Sequence, residues 1–73
     1  MKLQKVDGLN LYVVDLKTMP QLPITGSGPE KIYAEILTTA IRRGLVKVPG
    51  KYGIHIEKRL FRPLIWNIYK ITD

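Results

Sequence analysis

Cysteine is missing from this chain of 73 residues. Without thiols there is no disulfide framework and no thiolate metal site, a composition compatible with a reducing compartment. Histidine and serine occur once each, as His55 and Ser27. A metal on His55 would need two or three further ligands, and the six carboxylates are spread over the whole chain. Ser27 has an adequate role as a helix cap, described below, which leaves no nucleophile paired with a base. No apolar run approaches the ~20 residues of a membrane span, and residues 1–7 hold no stretch as long as the core of a signal peptide. The chain reads as soluble and cytoplasmic, not as an enzyme, with no metal or cofactor expected.

Negative charge is scarce in one region only. Twelve Lys and Arg stand against six Asp and Glu, for a formal charge of +6. Between positions 42 and 62 lie Arg42, Arg43, Lys47, Lys51, Lys58, Arg59 and Arg62, opposed by Glu57 alone, so this segment carries the whole excess. Such a concentration favours polyanions, and the partner expected is nucleic acid (DNA or RNA) or an acidic protein surface. A charged surface also keeps a small protein in solution whatever it binds.

The length sets one domain, residues 1–73, which buries about 60% of the surface its unfolded form exposes. The stretch with a complete helix grammar runs from Ser27 to Gly44. Ser27 precedes Glu30 by three residues, the spacing of a capping box, and Pro29 falls in the first turn, where a missing N–H is no loss. Ile32, Tyr33, Ile36, Leu37, Ala40 and Ile41 recur on a 3.6-residue period, while Lys31, Glu35, Thr38, Thr39 and Arg42 fall on the other face. Arg42 and Arg43 complement the negative helix end, and Gly44 is suited to the left-handed residue that stops it.

Before the helix, residues 3–6 and 9–14 flank Asp7-Gly8, a tight hairpin signal. Pro20, Pro23, Gly26 and Gly28 then exclude regular structure from 17–28, which reads as an extended crossing with Leu22 and Ile24 against the core. After the helix, residues 45–48 suit a short strand, Pro49-Gly50 a type II turn, and 52–57 a return strand with Tyr52, Ile54 and Ile56 inward. A last strand over 64–71 has Ile65, Tyr69 and Ile71 on one side and Leu64, Trp66 and Ile68 on the other. One of these sides should meet the helix; the other needs the proline-rich crossing or another subunit, so association with a second copy or with a partner, through this strand or its uncovered face, is expected. The expected fold class is α+β: a small antiparallel or mixed sheet in the order β-β-α-β-β-β with one helix packed on it.

Within this fold Arg42, Arg43, Lys47 and Lys51 fall at the helix end and around the Pro49-Gly50 turn. Lys58, Arg59 and Arg62 come at the far end of the following strand, about 20 Å away at ~3.3 Å per residue. Two clusters so spaced suit phosphates along one face of a duplex. Among the aromatics, Phe61 is the one expected to be exposed, the others being needed for the core. The function expected is a small binding protein for nucleic acid or an accessory to nucleic-acid machinery. Its alternative is a protein-binding regulator, inhibitor or small subunit that docks on an acidic face of a larger partner, for which exposed apolar residues should lie beside the charges.

Overall fold

A computed structural model describes residues 3–6, 8–57, 60–61 and 64–71. The elements are β1 (Leu3–Val6), β2 (Leu11–Leu16), α1 (Glu30–Arg42), β3 (Gly50–Glu57) and β4 (Ile65–Ile71). They form a four-stranded antiparallel sheet whose spatial order is the chain order, with α1 packed on one face. The class is α+β, with one strand fewer than the sequence suggests.

Strand alternation decides which face is covered. Tyr12, Val14 and Leu16 on β2 and Tyr52, Ile54 and Ile56 on β3 are buried and meet Tyr33, Ala34, Ile36, Leu37 and Ala40 of α1. Trp66 and Ile68, in register with Ile56 and Ile54, pack on the margin of this core. Burying the even positions of β2 sets its register, because a slip of one residue would turn the whole set to solvent. Val6 therefore pairs with Leu11, and the first hairpin closes over positions 7–10, not over the two residues Asp7-Gly8, of which Asp7 lies outside the described residues.

The helix starts differently from the capping box read in the sequence. Pro29 is the N-cap, and no side chain bonds to the cap. The Glu30 and Lys31 amides donate instead to the carbonyls of Ser27 and Gly28, both at 3.2 Å. Gly28 in a left-handed conformation (φ 58°) forms a turn that brings backbone carbonyls, not the Ser27 hydroxyl, to the first orphan donors. At the other end the helix stops as expected. Gly44 (φ 74°) donates to the Ile41 carbonyl at 3.0 Å and Leu45 to that of Ala40 at 2.9 Å, the paired bonds of a Schellman motif.

The proline-rich crossing lies on the helix. Ile24 is buried, Leu22 packs against the core, and the Ile24 amide donates to the Thr38 hydroxyl at 2.9 Å. Thr38, expected on the polar face, is thus buried, and its hydroxyl donates in turn to the Ala34 carbonyl at 2.9 Å. Gly26 makes this approach possible: a Cβ there would stand 3.1 Å from the Glu30 carbonyl oxygen. Since the crossing is spent on α1, it does not cover the free side of β4.

Residues 45–48 are not a strand. Both edges of β3 are taken, by β2 and β4, so no edge remains for this segment. It plugs the end of the core with Val46 buried and Val48 half-buried. Gly50 already belongs to β3 and no strand precedes it after α1, so the second hairpin expected at Pro49-Gly50 is replaced by a loop returning from the helix.

Candidate functional site

Chain direction and helix length bring the charges together. Pro29, Ile32 and Tyr33 share a shallow pocket with Asn10, Tyr12 and Ile56, so α1 begins over the end of the sheet where β2 starts and β3 stops. Its 13 residues extend about 20 Å at 1.5 Å each. That carries Arg42 and Arg43 to the opposite end, where β2 stops at Leu16 and β3 begins at Gly50. Lys47 lies in the loop between them and Lys51 is the second residue of β3. All four are exposed.

Lys47 is held by the core. The Tyr52 hydroxyl accepts from the Lys47 amide at 2.9 Å and donates to the Lys47 carbonyl at 3.1 Å, from a ring that is itself buried. A buried phenol thus fixes the backbone from which the Lys47 side chain reaches into solvent. Fixing one end of a flexible cation lowers the entropy lost when it meets a ligand.

Two further cations join this end that the sequence reading left out. Lys17 follows the last residue of β2, and Lys70 pairs with Tyr52 at the end of β4. Antiparallel order was the available signal, because strands of alternating direction bring the end of one to the start of the next. Asp15 is the acid among them; it lies opposite Lys51 on the face away from the helix and offsets part of its charge.

Lys58, Arg59 and Arg62, the second expected cluster, lie outside the described residues. Between them in the chain, Leu60 and Phe61 are 83% and 97% exposed, and Phe61 has φ 62°, a left-handed conformation uncommon for a bulky side chain. Phe61 is exposed as expected, Tyr69 is also half-exposed at 53%, and Trp66 is half-buried.

His55 faces away from the helix, in register with Leu11 and Asn67. Ser27 is exposed beside the start of α1. The sheet separates the two, so they form no nucleophile–base pair. Among the described residues no three His, Asp or Glu side chains gather as a metal site. No described helix is long and apolar enough to cross a membrane.

What these features define is a small α+β protein with a positively charged sheet end built on a buried core. Comparison with known protein families, with curated proteins and with solved structures finds no match for the chain.

Proposed function

We propose that this is a small non-enzymatic nucleic-acid-binding protein, or an accessory to nucleic-acid machinery, that holds the phosphate backbone with Arg42, Arg43, Lys47 and Lys51. The observation that carries this reading is the convergence of the helix end, the loop 43–49 and the start of β3 on one end of the sheet. Cations on three successive segments can reach several phosphates at once, and contacts of that kind supply affinity with little base preference. Lys58, Arg59 and Arg62 belong to the same reading as a second cluster. A cysteine-free chain suits the reducing cytoplasm, where we place its work.

The test is binding of labelled duplex DNA and of double-stranded RNA at low salt. Replacing Arg42, Arg43, Lys47 and Lys51 with Gln should abolish it, while Asp15→Asn, which removes the acid opposite Lys51, should tighten it. If no nucleic acid binds at low salt, where electrostatic attraction is strongest, the reading is wrong.

Leu60 and Phe61 favour a second reading, a protein-binding module for an acidic face of a larger partner. Their exposure beside Arg59 and Arg62 in the chain matches the aromatic and arginine composition of interface hot spots. Phe61→Ala separates the two readings: it should weaken capture of an acidic protein and leave phosphate contacts at the sheet end unchanged.

A further inference from the structure

The two edges of the sheet are protected unequally. β1, at one edge, is a strand of four residues with exposed Gln4 and Lys5. Short, charged strands are the usual means by which an edge avoids pairing with another chain. β4, at the other, runs seven residues, Ile65-Trp66-Asn67-Ile68-Tyr69-Lys70-Ile71, without proline or glycine and with Lys70 as its one charge. Its apolar residues point to both faces. Ile65 and Tyr69 are 37% and 53% exposed away from the helix; Trp66 and Ile68 are half-buried towards it. A groove between α1 and β4, lined by Ile32, Ile36, Leu64 and Trp66 with Glu35 and Thr39 on its helix side, adjoins this surface.

We propose that β4 pairs with β4 of a second copy of this chain, antiparallel about Ile68, so that two four-stranded sheets become one of eight. The strand is its own complement in this register. Ile65 comes opposite Ile71 of the second copy, Asn67 opposite Tyr69, and Trp66 opposite Lys70, an aromatic face against a cation. No like charges meet along the edge. Strand direction reverses across the dyad, so the two ends that carry Arg42, Arg43, Lys47 and Lys51 point opposite ways.

Asn67 and Tyr69 give the test, since both are exposed in the single chain and a charge there should leave the fold intact. Mass is measured by light scattering after gel filtration, with circular dichroism confirming the fold of each variant. The wild-type chain should show twice its 8.4 kDa mass. Asn67→Lys with Tyr69→Lys sets Lys against Lys twice across the dyad and should give a monomer, its dissociation constant raised tenfold or more. Asn67→Lys with Tyr69→Glu sets Lys against Glu twice and should restore the dimer. A wild-type monomer at several hundred micromolar would overturn the proposal, as would a Lys/Lys variant that stays dimeric. So would two variants that are both monomeric, because a face-to-face contact or a different register rejects the charges in either combination.

Discussion

Under the helix, Val14, Leu16, Leu37, Ile54 and Ile56 are sealed from solvent, while at the sheet end beyond Leu16 and Gly50 the side chains of Arg42, Arg43, Lys47 and Lys51 are all exposed. The first region is specified by shape, since its apolar side chains pack together as one buried cluster. The second is specified by placement of charge, on a backbone tied down by the helix end, the β3 ladder and the Tyr52 hydroxyl at Lys47. Stability and binding should therefore be separable by substitution, which is not so when binding residues are also core residues.

The sharpest break in that separation comes from the core. Leu37→Ala leaves a void in a fully buried position and should cost about 2–5 kcal/mol, a large part of the ~5–15 kcal/mol available to a small domain. Urea denaturation measures it; a loss below about 1 kcal/mol would contradict the packing of α1. Thr38→Val keeps the volume but takes the acceptor from the Ile24 amide, at an expected cost of about 1–3 kcal/mol. Limited proteolysis should then cut first within residues 17–28, and unchanged protection would mean the crossing is held some other way.

A smaller effect appears at alkaline pH. Burial, with the neighbouring Tyr12 adding to it, pushes the Tyr33 phenol above its ordinary 10.0, and the two rings lie 3.9 Å apart between centroids. The folded chain favours the neutral phenol, so as pH rises past 10 the unfolded chain loses this proton first and stability falls. Below that pH both states hold the proton and Tyr33 adds no pH dependence. Tyr33→Phe should remove its share of the alkaline loss, which a series of melts from pH 8 to 11 would detect.

The elements were legible where local chemistry and tertiary demand agree. The stripe from Ile32 to Ile41, the stop at Gly44 and the inward set Tyr52, Ile54 and Ile56 are all as the periodicity implies, because the same residues that favour the element also fill the core. Legibility failed where a neighbour decided the outcome. Residues 45–48 have strand composition, yet β3 had no edge left to offer. Ser27 has the spacing of a cap, yet the turn at Gly28 supplied carbonyls first. Thr38 looks like a surface residue until the Ile24 amide arrives from the crossing. At the sheet end, Arg42, Arg43, Lys47 and Lys51 could be grouped because they are consecutive in the chain, whereas Lys17 and Lys70 needed the strand order to be known.

The least effect on stability is expected at the charges themselves. Replacing Lys47 and Lys51 with Gln should change it by no more than about 0.5 kcal/mol, as for other exposed residues without partners in the core. Binding should respond in the opposite way, and its dependence on salt is the most direct measure. On duplex DNA the slope of log K against log salt is about −0.9 for each phosphate neutralised. The double variant should therefore bind more weakly with a slope shallower by roughly 2. A slope unchanged by removing both cations would contradict the claim that this end of the sheet holds phosphates.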